Sequence, residues 1–237
     1  MRIKSWVYMS KELVVVSIGG SILIPGEDDA VFISKLAEML RRVSSRVDVA
    51  VVCGGGKIAR YYTVTGRDLG GSEYDLDMLG IGTTRLNAGL LALALKDLSS
   101  KDIPTTIDQA AKAFSPGKIV VMGGTEPGHT TDAVATMLAK ELGGKRVVNA
   151  TSVDAVYSDD PRKNPDAVRY DRLTISDLEK LVYSDHGAGK SSVFDPLGVK
   201  IAKAEKIDIM MVDGRNLGEL EKAIAGDPFD GTFISSQ

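Results

Sequence analysis

The feature that most constrains this chain is the alternation of short, largely apolar runs with longer amphipathic segments. The apolar runs occupy residues 13–18, 47–53, 118–122, 146–149 and 207–212. Because they are apolar at successive rather than alternate positions, they are typical of parallel strands covered on both faces. Amphipathic helices are predicted over residues 28–43, 130–142 and 173–182. The sequence therefore predicts an α/β fold with a central, mostly parallel sheet.

Length, charge and cysteine content bound the class of protein. The 237 residues could form one large α/β domain or two small ones. A net charge of −3 argues against a broad nucleic-acid-binding surface, although it permits a small basic pocket. No apolar run approaches the roughly 18 residues of a membrane helix. The single cysteine, Cys53, rules out an internal disulfide and a cysteine-based zinc site. We therefore expect a cytoplasmic protein without a membrane or nucleic-acid partner.

The regular pattern begins only at Leu13, so residues 1–12 are predicted to be an N-terminal extension, within which Met9 is an alternative start. A second local signal concerns the last predicted helix. Thr174 is followed three residues later by Asp177, which is typical of a capping box at a helix N-terminus.

Three of the predicted strands run directly into glycine-rich segments. We call residues 19–21, 54–56 and 123–130 the first, second and third glycine loops. Carboxyl ends of parallel strands meet at one edge of a sheet, where ligands bind. Glycine lets the backbone approach a ligand closely, and the helix N-terminus that follows offers unpaired N–H groups to an anion. One such turn could be a plain connector, but three favour a polyanionic ligand.

Two familiar phosphate-binding motifs do not account for that ligand. The chain has no G-x-G-x-x-G, which argues against an NAD-dependent dehydrogenase. Residues 184–191, SDHGAGKS, differ from a P-loop by Ser184 in place of the first glycine. A P-loop follows a buried strand, whereas this segment follows a predicted helix. We interpret it as an active-site loop whose Lys190 could reach a phosphate.

Longer motifs occur in order along the chain: GGGKIAR, DLDMLGIGTTRLNA, MGGTEPGHTTDAVA, NATSVDAVYSDDPRKNPDA and FDPLGVKIAKAEKIDIMMVDGRN. Together they resemble the amino-acid-kinase superfamily and, within it, the uridylate kinases of archaeal type, from about Leu13 to the C-terminus. The resemblance implies a three-layer α/β/α domain over residues 13–237. Its UMP-binding lobe would span about 13–145 and its ATP-binding lobe about 146–237.

The resemblance also implies an activity and an assembly. The activity is reversible transfer of the ATP γ-phosphoryl group to UMP, giving UDP and ADP in pyrimidine nucleotide biosynthesis, with Mg²⁺ carried by ATP. The assembly is a homo-oligomer, a hexamer built as a trimer of dimers, with residues 28–43 as a candidate interface helix. Two alternatives stay open. The chain could be another kinase of small phosphates or carboxylates with the same fold, or it could be a non-catalytic nucleotide-binding protein.

The same resemblance implies a binding role for individual residues. It implies no metal ligand among them. Residues expected to contact ATP are Gly20, Ser21, Gly56, Arg60, Thr151, Ser152, Tyr157 and Asp160. Residues expected to contact UMP are Gly55, Asp77, Thr125, Glu126, Pro127, Gly128, His129, Thr130 and Thr131.

Simpler interpretations stay open for several of these residues. Arg60 could be a solvated helix residue, and Tyr157 could be a core residue at a strand edge. Asp75 and Asp77 could be acids at a helix N-terminus. His129 is not expected to act as a general base, because kinases of this family need no strong base.

The chain departs from the family at Ser17, where many members carry a lysine that meets the transferring phosphate. Because a serine cannot neutralise developing charge, either activity is lost or another cation acts. The candidate cations, in order, are Lys57, Lys190, Lys163 and Lys200. We expect Lys57, Arg60 and Asp195 to be catalytic, with Asp195 resembling an aspartate that orients phosphate-binding lysines.

Overall fold

The computed structural model describes residues 11–161, 163–184 and 193–237 of the chain. The strands are β1 (Leu13–Ile18), β2 (Asp48–Cys53), β3 (Val120–Met122), β4 (Arg146–Thr151), β5 (Val156–Tyr157), β6 (Arg169–Tyr170), β7 (Arg172–Thr174), β8 (Asp208–Asp213) and β9 (Thr232–Ser235). The helices are α1 (Gly20–Leu23), α2 (Asp29–Val43), α3 (Gly56–Asp68), α4 (Glu73–Leu95), α5 (Ile107–Ala113), α6 (Thr131–Leu142), α7 (Ile175–Ser184), α8 (Pro196–Glu205) and α9 (Leu217–Ala225). A turn of 3₁₀-helix, Lys96–Leu98, follows α4.

Seven strands form one sheet in the order β3-β2-β1-β4-β8-β9-β7. The first five in this order are parallel, whereas β9 is antiparallel to β8 and parallel to β7. A separate antiparallel pair is formed by β5 and β6. The prediction of a mostly parallel central sheet is confirmed, and strands from both predicted lobes share that sheet.

Helices cover both faces of the sheet, because successive side chains of its central strands point to opposite sides. In β1, Val14 and Val16 lie in a buried cluster with residues of α2, α4 and α9. Val15 lies in a second cluster with residues of α6, α7 and α8. The three-layer architecture expected from the resemblance is confirmed.

Each predicted strand and helix agrees with the structure to within two residues at either end. The capping box is also confirmed, because Thr174 Oγ1 accepts a hydrogen bond from the Asp177 N–H over 3.2 Å. In return, the Asp177 carboxylate accepts one from the Thr174 N–H over 3.4 Å. Local patterns therefore predicted these elements well.

Helices α5, α8 and α9 and strands β5, β6, β7 and β9 lie outside the predicted elements, and so does the 23-residue helix α4. It is apolar on more than one side: Leu76 and Leu91 are buried, whereas Leu86 and Leu93 are exposed. A helix of this kind lacks the polar face that an amphipathic pattern requires. It begins with a capping box between Ser72 and Asp75, so the interpretation of Asp75 as an acid at a helix N-terminus is confirmed.

Among the described residues, the segment Glu73–Leu98 is the one that is long and apolar enough to cross a membrane. Core helices meet the same criteria of length and composition. In this fold α4 packs against α2, α3, β2 and β3. Its place is therefore that of a helix packed within the domain.

Two residues of the predicted N-terminal extension precede β1, and the rest, including Met9, lie outside the described residues. The Glu12 carboxylate pairs with the Arg146 guanidinium. Arg146 also donates to the carbonyl oxygens of Ala223 (3.2 Å) and Ile224 (3.1 Å) at the end of α9. The start of β1 is thus tied to the helix that covers it.

Candidate active site

The first and second glycine loops touch each other through their backbones. The Gly54 N–H donates to the Ile18 carbonyl over 2.8 Å. A Cβ atom on Gly20 would lie 2.2 Å from the Gly56 nitrogen, and one on Gly56 would lie 2.4 Å from the Gly20 carbonyl carbon. Gly56 also has a φ of +63°, which side chains rarely allow. Glycine is therefore required at both positions by the contact between the loops themselves.

Two of the predicted cations lie on α3 beside the first glycine loop. Arg60 Nη2 donates to Ser21 Oγ over 3.1 Å, and Lys57 Nζ donates to the Pro25 carbonyl over 3.0 Å. Both residues are exposed. Neither forms a salt bridge with a carboxylate in the described part of the chain. Their positive charge is therefore open to an anionic ligand.

The other candidate cations lie elsewhere. Lys163 Nζ is 3.7 Å from Asp160 Oδ2. Lys200 is an exposed residue of α8. Lys190 and most of the segment 184–191 lie outside the described residues. Lys57, which directly follows the second glycine loop and bonds to Pro25 just beyond α1, is thus the described candidate that lies nearest to the glycine loops along the chain.

Ser17, which stands where the resembled kinases carry a lysine, is bonded to a carboxylate. Its side chain is buried, and its Oγ donates to Asp132 Oδ1 over 2.9 Å. Burial raises the pKa of Asp132 to about 6, and the negative charge of Asp195 also raises it. Hydrogen bonds from Ser17 and Asn149 act in the opposite direction. Asp132 therefore changes its charge just below neutral pH.

Asp132 is not among the residues selected from the sequence, although it belongs to the PGHTTDAVA motif. An acid in the first turn of a helix is ordinary, and Asp132 occupies that place in α6. Two signals could have identified it: its place directly after a glycine loop, and a serine rather than a cation at position 17.

Asp195 joins the third glycine loop to α8. Its Oδ1 accepts hydrogen bonds from the N–H groups of Leu197 (2.7 Å) and Gly198 (3.1 Å), which makes it the N-cap of α8. Its Oδ2 accepts one from Thr130 Oγ1 over 2.7 Å. The Thr130 oxygen in turn accepts from the Ala133 N–H at the start of α6. Two helix N-termini are therefore linked through this pair.

The third glycine loop is held by side chains of α4. Thr84 Oγ1 accepts a hydrogen bond from the Gly124 N–H over 2.6 Å. Arg85 Nε donates to the Gly124 carbonyl over 3.1 Å, and Arg85 Nη2 donates to the Thr125 carbonyl over 2.8 Å. The first peptides of the loop are thus bonded to α4 on both their N–H and carbonyl sides.

The second glycine loop is bonded to the same helix, because Asn87 Nδ2 donates to the Gly54 carbonyl over 2.8 Å. Thr84, Arg85 and Asn87 were not selected from the sequence, and their loop partners lie 33 to 40 positions away. The signal that could have found them is a group of polar residues inside an otherwise apolar helix.

The predicted UMP-binding residues are partly brought together. Asp77 Oδ2 accepts a hydrogen bond from the Gly128 N–H over 3.1 Å. His129 Nδ1 lies 3.3 Å from Glu126 Oε1, yet this approach lacks the geometry of a hydrogen bond. Among the described residues His129 therefore has no partner that would activate it as a base. Thr131 begins α6, directly after the loop.

The predicted ATP-binding residues follow the end of β4. The Thr151 carbonyl accepts a hydrogen bond from the Gly214 N–H over 2.9 Å, and Ser152 beside it is exposed. The Tyr157 hydroxyl donates to the Asp154 carboxylate over 3.1 Å. Burial raises the pKa of Tyr157, and the hydrogen bond with Asp154 also raises it. The aspartate therefore orders this segment through the tyrosine.

All these groups lie at or near the carboxyl ends of β1 to β4. The arrangement offers glycine backbone, two cations without a carboxylate partner in the described residues, and a carboxylate with a pKa near neutrality. It suits the binding of phosphate groups and the stabilisation of charge that moves between them.

Comparison with known proteins gives a consistent picture. The model of the amino acid kinase family matches residues 12–213. The chain is 44% identical to a uridylate kinase of Methanosarcina barkeri over 213 residues, which are 90% of this chain and 91% of that protein. It is 42% identical to a uridylate kinase of Pyrococcus abyssi over 222 residues, which are 93% of this chain and 98% of that protein.

Solved structures agree with these relatives. The structure of uridylate kinase from Archaeoglobus fulgidus is 40% identical in sequence and superposes with a TM-score of 0.84, covering 94% of this chain and 99% of that one. A UMP kinase from Ureaplasma parvum is 22% identical, with a TM-score of 0.77 over 96% of this chain and 100% of that one, and shares the fold.

Proposed function

The chain belongs to the amino acid kinase family, and we propose that it is a uridylate kinase, which transfers the γ-phosphoryl group of ATP reversibly to UMP and gives ADP and UDP. The observation that carries the proposal is the similarity to uridylate kinases, which extends over about nine-tenths or more of both chains. The site supports it, because glycine loops and cations without a carboxylate partner in the described residues meet at one edge of the sheet. The proposed role is in pyrimidine nucleotide biosynthesis.

The reaction needs no general base. A phosphate monoester has a second pKa of about 6, so the phosphate of UMP is mostly a dianion at neutral pH. One of its oxygens forms the new bond to the γ-phosphorus while the bond from that phosphorus to the bridging oxygen breaks and ADP leaves. The protein contributes positioning and charge stabilisation. His129 is then a binding residue.

We assign the donor to the first glycine loop and the acceptor to the third. Arg60 contacts Ser21, so a guanidinium lies where ATP phosphates would meet the backbone at Gly20 and Gly56. Asp77 contacts Gly128, so a carboxylate lies beside the loop proposed to hold the UMP nucleoside. The second glycine loop lies next to the first and is bonded to α4, which also holds the third.

Lys57 and Arg60 are proposed to supply the charge that the lysine supplies in other members. Asp132 in its ionised form, near Asp195, would orient cations at the transferring phosphate. Asp195 positions the third glycine loop through Thr130. The adenine and ribose of ATP are proposed to lie against Thr151, Ser152, Tyr157 and Asp160.

Mg²⁺ is proposed to be carried by ATP. Among the described residues, no group of three or more His, Cys, Asp or Glu side chains could hold a metal ion. Such a site suits an ion bound mainly by phosphate oxygens and water, with Asp132 or Asp195 available as one further ligand. The ion would add positive charge to the phosphates.

The direct test is a coupled assay of ADP release with ATP, Mg²⁺ and each of UMP, CMP and AMP as acceptor. We expect ADP release with UMP and formation of UDP. Release with another acceptor alone would change the substrate. Release with none of them would favour the non-catalytic nucleotide-binding alternative, which Ser17 suggests.

A homo-oligomer is proposed on the basis of an exposed apolar surface, the α3–α4 surface. Its large side chains are Ile58, Tyr61, Tyr62, Val64, Leu69, Tyr74, Met78, Leu79, Leu86, Leu90 and Leu93. Spacings of seven, four and three residues put Leu79, Leu86, Leu90 and Leu93 on one side of α4. An exposed apolar surface of this kind is typical of a contact between protein chains. A second copy of the chain is the proposed occupant, within the expected hexamer.

The predicted interface helix, α2, offers less, because Val31 is its one large apolar side chain that is exposed. Light scattering after size exclusion should show a smaller particle for Leu86→Lys with Leu93→Lys than for Val31→Lys. If Val31→Lys dissociates the oligomer instead, α2 rather than the α3–α4 surface forms the interface.

A cytoplasmic location is also proposed. Cys53 is free and buried, and burial raises the pKa of its thiol to about 12. A free thiol suits a reducing compartment, where ATP and UMP are available.

A further inference from the structure

Arg85 of α4 has an unusual set of partners for a half-buried guanidinium. It donates to three backbone carbonyls: Gly124 (3.1 Å), Thr125 (2.8 Å) and Thr105 (3.3 Å). No carboxylate of the described residues forms a salt bridge with it. A full positive charge is therefore directed at peptide oxygens, and hydrogen bonds of this kind are stronger than those between neutral groups.

The consequence for the third glycine loop is an imbalance between donors and acceptors. Arg85 engages the carbonyls of Gly124 and Thr125. The N–H groups of Thr125 and Glu126 donate to no acceptor among the described residues, whereas the Gly128 N–H is bonded to Asp77. The middle of the loop thus offers the N–H groups of Thr125 and Glu126 as hydrogen-bond donors, while the neighbouring carbonyls of Gly124 and Thr125 are held by α4.

Such a loop can discriminate between pyrimidine bases. Uracil carries a carbonyl oxygen at position 4, which accepts a hydrogen bond from a backbone N–H. Cytosine carries an amino group at the same position, which needs an acceptor such as a free carbonyl. A site that leaves such a group without its partner discriminates strongly against that base.

We propose that Arg85 is a specificity-determining positioning residue, which selects uracil over cytosine by holding the Gly124 and Thr125 carbonyls away from the acceptor base. The inference rests on the proposed uridylate kinase function, with the base against the third glycine loop. Arginine suits the role because its planar fork reaches carbonyls of different residues at once. Lysine, a single point of charge, would hold them less well.

The test compares UMP and CMP as acceptors for the wild type, Arg85→Met and Arg85→Lys, by the ratio of their kcat/KM values. Arg85→Met keeps an unbranched apolar side chain but frees the carbonyls, so the UMP/CMP ratio should fall by about 10-fold or more. Arg85→Lys should fall between it and the wild type. Arg67→Met is the matched control, because Arg67 is exposed and pairs with Glu73 away from the loop.

The outcome of this comparison either supports or contradicts the role proposed for Arg85. A ratio that falls more than about threefold in Arg85→Met but not in Arg67→Met supports the inference. Parallel losses with both acceptors and an unchanged ratio would show a structural role alone and overturn it. If Arg85→Met does not fold, Arg85→Lys decides by the same threshold. A wild type that phosphorylates neither acceptor would contradict the proposed function before any variant is compared.

Discussion

The first two glycine loops and the third glycine loop end neighbouring strands of one sheet, yet they are held in different ways. The first two rest on each other, because a Cβ atom on Gly20 would lie 2.2 Å from the Gly56 nitrogen. The third rests on side chains, because Thr84 and Arg85 bond the Gly124 peptide. Contact between backbones allows no adjustment, whereas side chains can be changed one group at a time. Substitutions should therefore act all or none in the first region and by degrees in the second.

Gly20→Ala should have the largest effect. The added methyl group would overlap the second glycine loop, lying 2.2 Å from the Gly56 nitrogen and 2.5 Å from the Gly54 oxygen, so the loops must separate. We expect a loss of about 2–5 kcal/mol in the free energy of unfolding. Kinase activity should fall below detection in the coupled assay. Urea unfolding gives the stability.

Gly218→Ala is the matched control for this change. Gly218 is an exposed residue of α9, outside the α3–α4 surface, and among the described residues a Cβ atom added there would meet only Asn216 Oδ1, at an ordinary 3.4 Å. Alanine should stabilise the helix by about 0.5–1 kcal/mol without lowering activity. Equal behaviour of the two variants would mean that the loops tolerate separation.

Lys57→Ala should have the next largest effect. If Lys57 supplies the charge that Ser17 cannot, kcat should fall by about 100-fold, as for other groups that stabilise a transition state. Lys57→Arg should restore part of the activity, and Arg67→Met on the same helix should leave it unchanged. Steady-state kinetics with saturating UMP would measure this. An unchanged kcat for Lys57→Ala would mean that Arg60 or Lys190, rather than Lys57, supplies the positive charge.

Much of the fold could be predicted from the sequence, because its signals are local. Apolar runs such as residues 13–18 and helical spacing such as residues 130–142 depend on neighbours along the chain. The helix α4 could not, since it is apolar on several sides and its polar residues contact loops 33 to 40 positions away. No local pattern specifies such partners. For this reason, the side chains of α4 that bond the second and third glycine loops could not be identified from the sequence.

Asp132→Asn tests the junction between the two regions, because Asp132 follows the third glycine loop and bonds to Ser17 of β1. Loss of the charge that is proposed to orient cations at the transferring phosphate should lower kcat by about 10- to 100-fold, as for other supporting groups. The free energy of unfolding should rise in the same variant, although kcat falls. The pKa of Asp132 is raised from 3.8 to about 6 in the folded chain, so its ionisation disfavours folding.

The sign of this effect gives a pH test. The stability contributed by protonated Asp132 is fully present below pH 3.8 and is lost as the pH rises through about 6. At about 1.4 kcal/mol per unit, Asp132→Asn should be more stable than the wild type by at most about 3 kcal/mol above pH 7. Urea unfolding from pH 4 to 8 would measure the difference. A difference that does not grow over this range would contradict the raised pKa.

The site itself was less predictable than the fold. The glycine loops and the cations Lys57 and Arg60 follow from sequence patterns and from resemblance, and their binding roles stay predictions. Asp132 was missed because its pKa depends on burial and on Asp195, more than 60 positions away, which no pattern along the chain reports. Tertiary contacts create such groups.

Thr84→Val should have the smallest effect of these substitutions. It tests whether the third glycine loop is held by side chains that can be altered one group at a time. It removes the oxygen that accepts the Gly124 N–H, so the KM for UMP should rise by about 3- to 10-fold while kcat changes little. Thr63→Val is the matched control: Thr63 Oγ1 donates to the carbonyl four residues earlier in α3 but contacts no glycine loop. Steady-state kinetics with varied UMP would measure both. A graded rise confined to Thr84→Val supports adjustable side-chain support of the third glycine loop. A complete loss like that of Gly20→Ala would show that this loop is as rigidly constrained as the other two.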